Sequence, residues 1–283
     1  YAAELVNDTH NATDNVGQTW TFPLAAEIID PVPIDIALVI DRSGSMNDAA
    51  WSRNKMEAAL AGSRLLVEML RDTADDRCAI VGFNEQPVAH QAIVLAGPNR
   101  AALTGALVPA NFTPGGATNI AGGIIIGREQ LATAHPNSPA VLKKALVVLT
   151  DGMENRCFQI GGAGTFFSIT GRDAADGMRR PDGASQDTDP LALGPENVYA
   201  IGLGQPGNID AAALNTIAVT TGGSYQGAQD LTGKNYFLLE KYFTQIFMEA
   251  AGLAQISDPF FTITAGEHHQ HQFDILPGDV NAM

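Results

Sequence analysis

The sequence predicts an α/β fold: a doubly wound, mostly parallel sheet with helices on both faces and short β elements flanking it at both termini. Three observations carry this. Ile34 to Ile40 is a nearly unbroken apolar run with β-branched side chains, the pattern of a strand buried on both faces. Ala145–Leu149 and Val198–Leu203 repeat that pattern further along. Segments with apolar residues stepping by three and four alternate with these strands.

In chain order, residues 1–17 are polar and rich in Asn, Thr and Asp, a predicted loose lead-in. Trp20, Phe22 and Leu24 alternate with Thr21 and Pro23, a short strand that the proline confines to an edge. Pro31 and Pro33 close this 1–33 segment, and the main domain is expected over 34–254. Met56, Ala59, Ser63, Val67 and Leu70 predict a helix over 52–71. Cys78–Phe83 reads as a strand, and Val88–Leu95 as another after the Glu85-Gln86-Pro87 turn. Ile120–Leu131 reads as a helix despite Gly122 and Gly123, and Ile209–Val219 as the next. Leu239, Phe243, Ile246 and Ala250 put an apolar stripe on the last one. Residues 152–196 show no period and are expected as a long loop. Phe261, Ile263, Phe273 and Ile275, around Ala265-Gly266, predict a hairpin within 255–283, part of an incomplete β module.

Composition narrows the function. Of 283 residues, 45% are apolar, enough for a large core, and the net charge of −15 argues against nucleic acid or an anionic membrane surface as partner. No apolar run approaches the roughly eighteen residues that a membrane helix needs. Cys78 and Cys157 are too few for a disulfide framework. The predicted sheet places them roughly 15–20 Å apart, so two separate thiols are expected. The start at Tyr1 reads as a piece of a longer chain that carries other domains.

In open α/β sheets, ligands sit beyond the carboxyl ends of the strands. There the first buried strand runs into Asp41-Arg42-Ser43-Gly44-Ser45, and the second into Leu149-Thr150-Asp151-Gly152. Between them, Gly115-Gly116-Ala117-Thr118-Asn119 leads into a helix. Asp41, Ser43, Ser45, Thr118 and Asp151 together offer two carboxylates and three hydroxyls, all hard oxygen donors, with no thiolate or imidazole. That chemistry suits Mg²⁺, Ca²⁺ or Mn²⁺ over zinc.

The Asp-x-Ser-x-Ser pattern at Asp41–Ser45, with the distant Thr118 and Asp151 in this order, resembles the von Willebrand factor type A family, found in adhesion receptors, matrix proteins and bacterial surface proteins. The stretch Thr150–Asn155, with Tyr199–Gly204 and Thr221–Gly223, looks most like the calcium-activated chloride channel regulators and their bacterial relatives. The resemblance implies direct ion binding by Ser43 and Ser45, and binding by Thr118 directly or through water. It implies that Asp41 and Asp151 act mostly through water and the serines. It further implies a protein-binding module rather than an enzyme, outside the cell or on its surface, whose Mg²⁺ (or Ca²⁺ or Mn²⁺) captures an Asp or Glu of a partner protein. Arg42, Asn47, Glu154 and the 152–196 loop are expected to shape its rim. Two other readings compete: a metal-dependent hydrolase with Glu154 as base, and a structural spacer with a vestigial metal site.

Other patterns are read plainly. Gly202-Leu203-Gly204-Gln205-Pro206-Gly207 matches a dinucleotide motif, but Pro206 stiffens it, so a strand-to-helix turn is expected. His268, His269 and His271 lack a zinc-enzyme frame, and Asp182, Asp187 and Asp189 lack the Gly and Glu of a calcium loop. Asp75-Asp76 reads as a solvated turn. Asn7, Asn11 and Asn111 open glycosylation sequons.

Overall fold

The structure, a computed structural model, describes residues 4–13, 19–28, 31–50, 53–139, 141–160, 165–167, 169, 196–205, 207–228 and 237–253. The chain forms two compact units, Val32–Ala251 and a unit made of both chain ends, Tyr1–Pro31 and Gly252–Met283.

In the unit of the chain ends, β1 (Glu4–Thr13) pairs antiparallel with β2 (Thr19–Ile28), in register from Glu4 opposite Ile28 to Thr13 opposite Thr19. The expected loose lead-in is therefore largely a strand. Its polar sequence gives no period-two signal, and the ladder with β2 supplies the order that local propensity does not. In this two-stranded sheet each strand is an edge, which accommodates Pro23 opposite Thr9. The hairpin expected within 255–283 lies outside the described residues, as do His268, His269, His271, Asp182, Asp187 and Asp189.

The main unit runs β3 (Ile34–Asp41), a 3-10 turn at Gly44–Asn47, the two-residue strands β4 (Ala49–Ala50) and β5 (Arg53–Asn54), and α1 (Lys55–Met69). Then come β6 (Arg77–Phe83), β7 (Val88–Leu95), α2 (Ala96–Ala106), α3 (Ile120–Ala132) and β8 (Lys143–Thr150). Short β9 (Phe158–Ile160) and β10 (Thr165–Phe167) pair within the expected long loop. The unit closes with β11 (Asn197–Leu203), α4 (Ala211–Thr220), β12 (Tyr225–Ala228) and α5 (Leu238–Ala251).

The main sheet has the order β12-β11-β8-β3-β6-β7, parallel throughout except that β7 runs antiparallel on β6. Every residue of β3 is buried, as a central strand covered on both faces requires. Ala37, Val39, Ala79, Val81, Leu146 and Val148 pack with Ile120 and Ile124 of α3 and Ile217 of α4 on one face. On the other, α1 lies against α2 and α5, which themselves pack on the sheet. The glycines of α3 explain why an apolar helix tolerates them. A Cβ at Gly123 would stand 2.6 Å from Phe83 and 2.8 Å from Val39, so only glycine lets this helix approach the strands so closely.

Helix α1 begins at Lys55 rather than near 52, because a capping box fixes its start. Asn54 Oδ1 accepts from the Glu57 N–H at 2.8 Å, and Glu57 Oε2 accepts from the Asn54 N–H at 3.0 Å. The Asp75-Asp76 expectation needs correction. Asp76 is fully buried and takes the N–H of Ile34 at 3.1 Å, the N–H of Arg71 at 2.8 Å and that side chain's Nε at 2.9 Å. Only Asp76 departs from the expected solvated turn, as a buried clamp between β3 and the segment after α1, whereas Asp75 is exposed in the turn with φ 57°. Gly204 (φ 142°) and Gly207 (φ 100°) carry the turn from β11 toward α4, where Asp210 accepts from the Ala213 N–H at 3.0 Å. Cys78 and Cys157 are both buried thiols, and burial pushes the Cys78 thiol well up, out of the reactive range.

Candidate metal centre

Register brings the site together. Ile40 lies opposite Leu149 in the parallel β3–β8 pair, so the next residues, Asp41 and Thr150, emerge side by side at the carboxyl edge. Thr150 Oγ1 donates to Asp41 Oδ2 at 2.6 Å, and the Ser43 N–H donates to Asp41 Oδ1 at 2.7 Å. Beyond Ser43, the 3-10 turn brings the Ser45 hydroxyl 3.2 Å from that of Ser43. Ser45 Oγ donates to Asp151 Oδ1 at 2.7 Å, across 106 positions of sequence.

Thr118 arrives on a third segment. Its N–H donates to Asn155 Oδ1 at 2.8 Å and its carbonyl accepts the Asn155 N–H at 3.0 Å, a two-point clamp from the loop that follows β8. The Gly44 N–H reaches the Gly116 carbonyl at 3.3 Å and the Gly115 N–H the Arg42 carbonyl at 2.9 Å, which lashes the Thr118 loop to the serine loop. Asn119 then caps α3 by accepting the Gly122 N–H at 2.9 Å. Gly152 closes the gap: a Cβ there would stand 3.3 Å from Thr118 Oγ1 and 3.8 Å from Ser45 Oγ. An open cavity of about 430 Å³ lies over these groups, lined by Ser45, Thr118, Asp151, Asn155, Lys55 and Asn208 among others.

The electrostatics follow from burial. Asp41 is sealed from solvent, and desolvation pushes its carboxyl up to about 7, with the Asp151 charge adding to the rise and the Thr150 and Ser43 hydrogen bonds restraining it. A carboxylate so enclosed keeps its charge readily only beside a cation. Lys55, the first residue of α1, supplies one on the other side: its Nζ stands 2.6 Å from Asp151 Oδ2 and 3.4 Å from Asp48 Oδ2. Among the described residues no three His, Cys, Asp or Glu side chains gather closely enough to share an ion. Two carboxylates with three hydroxyls suit a hard, oxygen-preferring ion.

The residues expected at the rim differ in their surroundings. Glu154 is buried, its Oε1 accepting the Ala121 N–H at 2.7 Å and its Oε2 the Ile169 N–H at 2.7 Å. It anchors α3 and the loop, and it is also among the residues lining the cavity. Arg42 is not among the described residues lining the cavity, and its charge acts on His90. Asn47 stays exposed on the 3-10 turn. Sequence reasoning missed Thr150, Lys55 and Asn155 as parts of the site. The capping box placing Lys55 at a helix start was readable; the reach of its side chain to Asp151 was not.

A mostly parallel sheet covered by helices on both faces, with a hydroxyl-and-carboxylate pocket at its carboxyl edge, defines a doubly wound α/β domain. The sequence profile of the von Willebrand factor type A domain matches residues 35–234, and the chain belongs to that family. Solved structures are similar in fold at low identity. The PilB minor pilin from Streptococcus sanguinis gives a TM-score of 0.53 at 15% identity, covering 91% of this chain and 80% of that one. The pilus adhesin SpaC from Lactobacillus rhamnosus GG gives 0.57 at 20%, covering 87% of this chain and 34% of that one. A von Willebrand factor type A protein from Catenulispora acidiphila gives 0.53 at 18%, covering 82% and 45%. The chain thus spans less than half the length of the latter two. None of the curated proteins matches the sequence. Among the described residues no helix is long and apolar enough to cross a membrane.

Proposed function

We propose that this chain is an adhesion-type protein-binding module whose grip depends on a divalent cation. Ser43 and Ser45 would hold the ion directly, Thr118 directly or through water, and Asp41 and Asp151 through water and the two serines. Mg²⁺ is the first candidate, with Ca²⁺ and Mn²⁺ as alternatives of the same oxygen-loving class. When bound, the ion supplies an electrophilic site for a carboxylate, so the partner is a protein presenting Asp or Glu. The chain's own residues fix the donors: Thr150 and the Ser43 N–H aim both oxygens of Asp41, Asp151 orients the Ser45 hydroxyl, and Asn155 holds Thr118 at its backbone.

The single observation that supports this reading is the continuous chain of hydrogen bonds from Thr150 through Asp41 and Ser43, with Ser45 and Asp151 adjoining it, beneath an open cavity. Pilin and pilus-adhesin relatives in fold support a place outside the cell or on its surface, within a longer chain. A hydrolase would need a free general base, and Glu154, the carboxylate the sequence offers, has both oxygens on backbone amides. Calorimetric titration of Mg²⁺ into chelator-treated protein is expected to show one site, and Asp41→Ala to weaken it about 10- to 100-fold, the scale on which a lost supporting carboxylate tells. Equal heats from both proteins would remove the proposal.

A further inference from the structure

Lys55 is the feature of the site that the ion reading leaves unexplained. It opens α1, where the positive end of the helix dipole disfavours a cation. Yet its side chain is only 13% exposed, and its ammonium is drawn onto Asp151, whose side chain is fully buried, and toward Asp48, which is 68% exposed. The two oxygens of Asp151 are divided: Oδ1 takes the Ser45 hydroxyl and Oδ2 takes Lys55. The lysine therefore does not compete with Ser45 for the same atom, and it faces the same cavity as Ser45 and Thr118.

We propose that Lys55 is a specificity residue, a fixed second cation that weakens the centre's hold on a divalent ion while strengthening its hold on an acidic group of the partner. This deepens the ion-dependent reading and rests on it. The argument is one of charge. The Lys55 side chain adds one positive charge to the balance of a divalent ion against Asp41, Asp151 and Asp48, the last 3.4 Å from its ammonium. The ammonium repels the incoming ion and spends part of the field of Asp151, so ion affinity falls. The same ammonium makes the loaded pocket more attractive to an anion than it would be without it, in a chain whose overall charge of −15 otherwise repels one. A carboxylate arriving in the cavity then meets the ion and the lysine together, and a neutral or cationic group meets neither favourably.

The test uses Mg²⁺ alone and then N-acetyl-aspartate N-methylamide as a single-carboxylate probe of the Mg²⁺-saturated protein. Calorimetry reads the first and NMR shift titration the second. Lys55→Met is expected to bind Mg²⁺ about tenfold more tightly and the probe about fivefold more weakly, as loss of one nearby like or unlike charge implies. Lys55→Arg keeps the charge and is expected to restore both values to near wild type. Lys55→Gln, which keeps a polar head without charge, repeats the Met result if that variant folds poorly, with circular dichroism checking each. Either affinity unmoved, or moved in the opposite direction, in a folded neutral variant overturns the proposal. A wild-type protein that takes up no Mg²⁺ overturns the ion reading and this one together, whereas normal uptake with an unaltered Lys55→Met overturns this one alone.

Discussion

Asp41 depends on its neighbours, because burial alone works against its charge. Thr150 is the neighbour whose loss is cleanest to test. Thr150→Val keeps the shape and removes the donor at 2.6 Å, leaving a buried carboxylate oxygen short of a partner. The expected loss is about 1–3 kcal/mol by urea denaturation, together with weaker Mg²⁺ uptake. Stability unchanged in both would mean that Asp41 finds another donor. His90 gives a second prediction. Its ring lies against Phe112, with centroids 4.8 Å apart, and its Nε2 is closed off from solvent. Burial, and then the Arg42 charge, lower its pKa below the usual 6.5. The unfolded chain therefore binds a proton more readily than the native one. Stability from this residue is present above pH 6.5 and is lost as pH falls below it toward the native value. The difference in stability between wild type and His90→Gln should shrink steadily as pH drops below about 6.5; a difference independent of pH would contradict the assignment.

At the scale of elements, the strands that hold the site were legible in sequence because burial on both faces leaves a continuous apolar run at β3, β8 and β11. Helices α2 and α4 show where legibility ends. The α4 pattern is apolar and uncomplicated, whereas α2, with Gly97, Pro98 and Gly105, is not among the elements the sequence predicts. Packing of Ala96, Leu103 and Ala106 makes it a helix. β12 escaped notice for a similar reason: Tyr225-Gln226-Gly227-Ala228 has weak strand propensity, and pairing with β11 creates the strand. Gly223 controls that pairing. A Cβ there would stand 1.9 Å from the Val198 carbonyl oxygen, which is backbone and cannot swing aside. Gly223→Ala should lower stability by about 3 kcal/mol and strip hydrogen-exchange protection from 225–228 first. Loss spread evenly over the sheet would argue against β12 as the point of failure. Glu154 lines the cavity and also has an anchoring role that the sequence does not show. Its two amide partners, on Ala121 and Ile169, come from distant segments that no spacing rule connects. Glu154→Ala is expected to lower the melting temperature by several degrees, as two unsatisfied amides imply. An unchanged melting temperature would contradict its anchoring role.

For the whole molecule, the five candidate ion-holding residues named from sequence come from three segments that the sheet order brings to one edge. Sequence alone could name Asp41, Ser43, Ser45, Thr118 and Asp151 because their order follows a family pattern. It could not supply Thr150 or Lys55, whose contributions depend on strand register and on the reach of a side chain. A divalent ion bound only by the folded chain must also stabilise it, so Mg²⁺ at 100 times its dissociation constant should add about 2.7 kcal/mol. The most direct measurement is an anomalous difference map from crystals soaked in Mn²⁺. The account predicts a peak in the pocket under the cavity, with the Ser43 and Ser45 hydroxyls in its first coordination sphere at roughly 2.1–2.4 Å, the range of hard oxygen-bound divalent ions. A map with no peak there, at an ion concentration that fills a known Mn²⁺ site in a control crystal, would contradict it.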